Sequence, residues 1–125
     1  TISALSLTEY VDFEPFSLNV HEEIIKDAMY VNSSDYEGMS NAMLEAMAIG
    51  LPVVCTDCPI GGAAAIIKNG ENGFLTTVGD AQSLANAVES IITDKELSNK
   101  LSKNASKIKE ELSLSNIANK WMELL

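Results

Sequence analysis

Arginine is absent from this chain of 125 residues, and aromatic residues make up only 6% of it. Eight lysines face 18 aspartates and glutamates, which gives a formal charge of −10 at pH 7. Affinity for duplex nucleic acid comes largely from cations that neutralise phosphates, so no nucleic-acid partner is expected. The same deficit makes a phosphate-rich ligand awkward unless backbone amides bind it. Long apolar runs are missing too: no window approaches the roughly 18 apolar residues of a membrane span. The start, Thr1 to Leu7, has no basic lead-in and no long apolar stretch, so neither a span nor a signal peptide is expected. The length fits one domain with its own core and leaves no room for a second lobe. Any two-lobed enzyme is present here only in part.

Cysteine is scarce. Cys55 and Cys58 form Cys-Thr-Asp-Cys, and the chain's single histidine, His21, lies far upstream. A structural zinc site wants four ligands, which these residues do not supply. A thioredoxin-type motif wants its first cysteine at a helix start. Here Pro52-Val53-Val54-Cys55 reads as the end of a strand and Pro59 follows at once. The expectation is free thiols in a reducing, cytoplasmic setting.

What is present is an alternation of short apolar runs with amphipathic ones, the pattern of βα units around a largely parallel sheet. Tyr10 to Phe13 reads as a short strand followed by the loop Glu14 to Asn19. Val20 to Asp27 reads as a helix capped by Asn19, with Val20, Ile24 and Ala28 on one face. Ala28 to Ser33 is a second strand. A helix starts near Ser40 or Asn41 and ends at Gly50. Leu51 to Thr56, β-branched and apolar on both faces, reads as a buried strand with its proline at the entry. An Ala-rich helix to about Lys68, a turn at Asn69 to Gly73 and a strand at Phe74 to Thr76 follow. From Asp80 the chain reads as helical, with Leu84, Val88, Ile91 and Ile92 on one face, then Lys95 to Lys109, then a last helix from Ser115 presenting Ile117, Trp121 and Leu124. The predicted order is β-α-β-α-β-α-β with a helical tail.

Strand, polar turn, glycine and helix start fall in sequence between Val31 and Glu45, an arrangement that makes an anion site. The first amides of a helix point outward and its dipole favours negative charge, so a phosphate can rest there with little help from cations. Gly38 admits a ligand to the backbone, and Ser40 and Asn41 add side-chain donors. Taken alone, Gly38-Met39-Ser40-Asn41 also fits an ordinary capped helix. Glu37 and Glu45 add acceptors suited to sugar and ribose hydroxyls. Eight steps along one helix would set them about 80° apart, so a shared site is open to them. The plainer reading is solvated surface charge, which fits Glu45 less well because Met43, Leu44, Ala46 and Met47 make its helix read as largely buried; an acid and base pair of a hydrolase is a further reading, for which nothing else in the chain speaks.

The stretch from Asn32 to Val54 resembles the signature of family 4 glycosyltransferases of the GT-B fold. It has Ser33-Ser34, then Glu37-Gly38, then Glu45 after seven intervening residues, then Ala46-Met47-Ala48-Ile49-Gly50-Leu51-Pro52-Val53-Val54. The similarity runs on through Thr56 to Gly62, Asn69 to Leu75 and Val78-Gly79-Asp80, and it reaches the Trp121 region. It implies that residues 1–125 are the second half of a C-terminal, nucleotide-sugar-binding domain: an α/β, partial Rossmann-like, doubly wound parallel sheet of about four strands with C-terminal helices. It also implies sugar transfer, of hexosyltransferase type, from a UDP- or GDP-sugar with retention of configuration. Residues would then take these parts: Glu37 contacts donor-sugar hydroxyls at the catalytic centre; Gly38, Met39, Ser40 and Asn41 lie against the diphosphate; Glu45 binds ribose hydroxyls with Leu44 packed nearby, Leu44 reading otherwise as a core residue. The loop near Phe13 to Asn19 would flank the base. No metal or other cofactor is implied. Assembly of bacterial surface polysaccharide or other glycan is the implied process, at a cytoplasmic address, peripheral to the inner membrane face in the full-length enzyme.

The family's acceptor lobe, and the first two βα units that bring a basic residue to the diphosphate, have no counterpart here. The missing cations are therefore expected upstream, along with the site for a glycan or lipid-linked acceptor, and the chain alone is expected to be inactive. In the strand order 3-2-1-4-5-6 it would hold strands 3 to 6. Tyr10 to Phe13 is then expected either beside Met29 to Ser33 or paired with another chain through the exposed sheet edge. The alternative of another class is a non-catalytic α/β binding module such as a receiver domain, for which Asp57 lacks an acidic cluster and a lysine in register.

Overall fold

The computed structural model describes residues 1–124. Its centre is β2 (Val53–Thr56), four residues all buried. Valines and a threonine suit a pleat packed on both faces. β1 (Tyr30–Asn32) and β3 (Phe74–Thr76) flank it in a parallel sheet of order β1-β2-β3. Tyr30 is in register with Val53 and Asn32 with Cys55; on the other side Val54 faces Phe74 and Thr56 faces Thr76.

Alternation along β2 divides the core. Val53 and Cys55 point to one face, where they meet Met43, Ala46 and Met47 of α2 (Asn41–Ile49) together with Ile67, Ala105 and Ile108. Val54 points to the other, against Ala87 and Ile91 of α4 (Ala81–Thr93) and Leu101 of α5 (Lys95–Ala105). Helix boundaries follow their caps. Ser40 Oγ accepts from the Met43 amide at 3.3 Å to start α2. Gly50 ends it at φ +90°, with the Leu51 amide closing onto the Ala46 carbonyl at 2.9 Å. Asp80 and Asp94 cap α4 and α5 through their Oδ1 atoms.

Four sequence expectations are corrected. Tyr10 to Phe13 forms no strand: Thr8–Tyr10 is a single 3-10 turn, and Phe13 is exposed. A strand needs ladder partners for its backbone groups, and none of the described strands pairs with this segment. It does not take the place beside β1 either; the sheet has three strands, close to the number expected, and β1 is an edge with Val31 exposed. The first helix is shorter than expected: α1 covers Val20–Ile24, and Asn19 makes no side-chain cap. Ser17 Oγ instead donates to Glu23 Oε1 at 2.6 Å and accepts from the Asn19 amide. Ile92 is exposed, because one step of 100° from the buried Ile91 turns it to solvent. The stretch Lys95 to Lys109 divides into α5 and a separate turn, α6 (Ile108–Glu111), where Ser106 Oγ bonds back to the Lys103 carbonyl at 3.0 Å. Between β2 and β3 lies α3 (Gly62–Ile66), and the chain ends in α7 (Leu114–Met122), begun by Ser113 and carrying the exposed Trp121.

Cys55 is 2% exposed, and both cysteines are free thiols. Burial first, then the neighbouring Cys58 and, less, Glu37, pushes the Cys55 thiol up from 9.0 to about 12, against a lowering backbone hydrogen bond from Asn32. The unfolded chain releases this proton near pH 9 while the folded chain keeps it. Unfolding is therefore favoured as pH rises from about 9 to about 12, by at most about 1.4 kcal/mol per pH unit. Urea unfolding at pH 8 and pH 10 should show a steeper loss of stability for the native chain than for Cys55→Ala. Equal losses in the two proteins would mean that this buried thiol does not carry the effect.

Candidate functional site

The carboxyl ends of the three parallel strands open on one edge, where an α/β sheet places its ligands. Here β1 leads into the loop Ser33 to Ser40, and Asn32 organises its start. The Asn32 Oδ1 accepts from the Ser34 amide at 2.9 Å and from Ser34 Oγ at 2.6 Å, while its Nδ2 donates to Glu37 Oε2 at 3.5 Å. Ser34 Oγ also lies 3.2 Å from Glu37 Oε2, but a hydroxyl has one proton and the shorter contact takes it. Glu37 is half-buried with most of its acceptor capacity unused. A carboxylate so placed can accept hydroxyl donors from a ligand. Thr56 Oγ1 donates to the Ser34 carbonyl and ties the loop to the end of β2.

Beyond Glu37 the chain passes Gly38 and Met39 into α2. Ser40 satisfies the Met43 amide with its side chain and the Leu44 amide with its carbonyl. The amides of Asn41 and Ala42 have no protein acceptor among the described residues. Two free N–H groups at the positive end of a nine-residue helix make an anion seat that needs no lysine.

Gly38 itself has open space around it, whereas a Cβ on Gly62 would sit 1.9 Å from the Gly38 carbonyl oxygen. The start of α3 is pressed against the loop backbone, and only glycine permits the approach. Glu37, Gly38 and Ser40 line one small cavity of about 10 Å³, backed by Met43, Cys55 and Cys58. Leu44 and Glu45 line a different groove, of about 250 Å³, with Ala48 of α2 and Ile108, Lys109 and Leu112. Leu44 packs on the core and also lines this groove. The helix carrying Glu45 is buried on one face only: its carboxylate is half-exposed and pairs with His21 Nε2 at 3.3 Å. Met39 and Asn41 are exposed and line neither hollow. Phe13 and Phe16, in the segment expected to flank a base, are exposed too.

A third hollow, of about 210 Å³, opens at the same edge on the α4 side, between Ser33, Asp35, Thr77 and Asp80. The helix start on that side is capped by the carboxylate of Asp80, whereas Ser40 caps α2 without charge, so the α2 side is the better anion site. Sequence reasoning did not single out Asn32, Ser34, Gly62 or His21. Asn32-x-Ser34 carries a local signal for a side-chain turn, but the packing of Gly62 on Gly38, 24 residues apart, and the pairing of His21 with Glu45 are tertiary.

A family model described as glycosyl transferases group 1 matches residues 1–108. The chain is 38% identical over 73 residues to the lipopolysaccharide core biosynthesis glycosyltransferase LpsE of Rhizobium meliloti, covering 58% of this chain and 21% of that protein. It is 33% identical over 96 residues to the capsular polysaccharide biosynthesis glycosyltransferase CapM of Staphylococcus aureus, covering 77% and 24%. Crystal structures of HepE from Anabaena, in complex with UDP and with UDP-glucose, superpose with TM-scores of 0.89 and 0.88 at 29% identity, over 98% of this chain and 34% of HepE. The chain thus spans about a fifth to a third of the length of these relatives.

The contact beneath the loop yields a direct test. Gly62→Ala should lower stability by about 1–3 kcal/mol in thermal or urea melts, since backbone must move to admit the methyl. Gly38→Ala, which meets nothing within 4 Å, should change it by under about 0.5 kcal/mol. Equal effects would show that the close approach is not what Gly62 provides.

Proposed function

The chain belongs to the group 1 glycosyltransferases, and from that premise we propose that residues 1–125 are part of the donor-binding domain of a retaining, family 4 hexosyltransferase that uses a UDP-sugar. The observation that carries this is the helix start at Ser40: two unclaimed amides at the end of a loop whose half-buried Glu37 has acceptor capacity to spare. The diphosphate rests on the amides of Asn41 and Ala42, beside Gly38, Met39 and Ser40. Glu37 accepts hydroxyls of the donor sugar at the catalytic centre. Glu45, one turn into α2 with Leu44 beside it, accepts the ribose hydroxyls. A carboxylate suits both tasks because it only accepts and each hydroxyl can donate. HepE supports the choice of UDP, having been crystallised with UDP and UDP-glucose.

This assignment also accounts for the charge. An anion on a helix terminus gains about 0.3–1 kcal/mol, up to about 2 in partly buried geometry, which orients a diphosphate without holding it tightly. The remaining attraction comes from cations in the rest of the enzyme, which also supplies the glycan or lipid-linked acceptor and its deprotonation. The isolated chain is therefore inactive, and the open edge of β1 is covered in the whole protein by a preceding strand or by another copy. Neither metal nor other cofactor enters this reading. The names of CapM and LpsE support a role in surface polysaccharide assembly, on the cytoplasmic side of the membrane and peripheral to it. No described helix is long and apolar enough to cross a membrane.

Calorimetric titration with UDP, GDP and UDP-sugars tests the assignment. Loss of a hydrogen bond to a charged group costs about 1.5–3 kcal/mol, so Glu45→Ala should weaken UDP about 10- to 100-fold. Glu37→Ala should weaken the UDP-sugar and leave UDP nearly unchanged. No saturable binding to any of these nucleotides, or equal effects of both variants on UDP, would contradict the reading.

A further inference from the structure

We infer that His21 is a positioning residue for Glu45, and that through it α1 sets the preference of the site for a ribonucleotide over a 2′-deoxyribonucleotide. The inference rests on reading Glu45 as the ribose carboxylate. His21 is the second residue of α1, a helix that buries none of its residues and packs against α2. Its Nε2 lies 3.3 Å from Glu45 Oε2, with the two side chains 51% and 48% exposed. Among the described residues of a chain with 18 Asp and Glu and eight Lys, no lysine comes within pairing distance of a carboxylate, and this contact is the one of its kind. Lys109 lines the same groove as Glu45 and does not come within pairing distance.

An exposed pair of this kind adds little to folding stability, so holding α1 in place is a poor account of it. What the contact acts on is the carboxylate. A free glutamate side chain samples many rotamers, and binding must freeze them. With the imidazole nitrogen 3.3 Å from Oε2, the carboxylate is confined on that side while Oε1 stays open to vicinal hydroxyls, and part of the ordering is done before the ligand arrives. An amide nitrogen of similar reach can stand in for the imidazole.

The test is calorimetry of UDP and 2′-deoxy-UDP with the native chain, His21→Ala, His21→Gln and Glu45→Ala. The native chain is expected to prefer UDP. His21→Ala should weaken UDP about two- to fivefold, the range of an exposed pair, and leave 2′-deoxy-UDP unchanged. His21→Gln should recover most of that loss. The inference is overturned if His21→Ala weakens both nucleotides alike or neither, or if the glutamine fails to restore the preference. If Glu45→Ala abolishes the preference while His21→Ala keeps it, the ribose reading of Glu45 stands and the role of His21 falls. If the native chain binds both nucleotides equally, or binds neither, the ribose reading itself fails and takes this inference with it.

Discussion

All four residues of β2 are buried, so both faces of the central strand must be roofed, and the placement of everything else follows from how that is done. Val53 and Cys55 draw α2 onto one face, and Val54 draws α4 and α5 onto the other. Burying such side chains is worth on the order of 1.5–3 kcal/mol each, against which the terminal segments of this chain contribute little. Parallel pairing on both sides of β2 puts the strand ends, and the loops that leave them, at one edge. The start of α2 is thereby fixed beside the ends of β1 and β2. Its amides are displayed there because its opposite face, Met43, Ala46 and Met47, is pinned to the sheet.

Site and core are coupled through small residues. Gly62 lets α3 touch the Gly38 backbone, and Thr56, at the last position of β2, holds the Ser34 carbonyl. Cys55 backs the cavity that Glu37 lines, and the electrostatic influence of Glu37 reaches its thiol. The loop is therefore a rigid extension of the sheet edge. Such preorganisation is how a site with weak individual contacts gains useful affinity. On the proposed reading, a chain of charge −10 can face a diphosphate because the charge is spread over solvated surfaces, while the anion seat is built from main-chain dipoles.

Much of this was legible in the sequence where local chemistry and burial agree. Ser40, Gly50, Asp80 and the β-branched run at Val53-Val54 each carry a signal that tertiary structure leaves alone, and the signature from Ser34 to Val54 carries the family. The failures share a cause. Tyr10 to Phe13 reads as a strand by its residues, but no described strand pairs with it. Glu45 reads as a member of a buried helix, but the helix is buried on one face, and the pattern of Met43, Ala46 and Met47 leaves position 45 outward. His21 and Gly62 matter through residues 24 positions away in each case, which no local pattern encodes.

The central claim is that the free amides at the start of α2 hold the diphosphate. It is tested most directly by following the backbone amide resonances of the ¹⁵N-labelled chain during titration with UDP. The account predicts that the largest shifts fall on Gly38 to Ala42, with Glu45 following and residues around Thr77 to Ala81 on the α4 side nearly still. Shifts centred on the hollow on that side, or spread evenly over the surface, would contradict it.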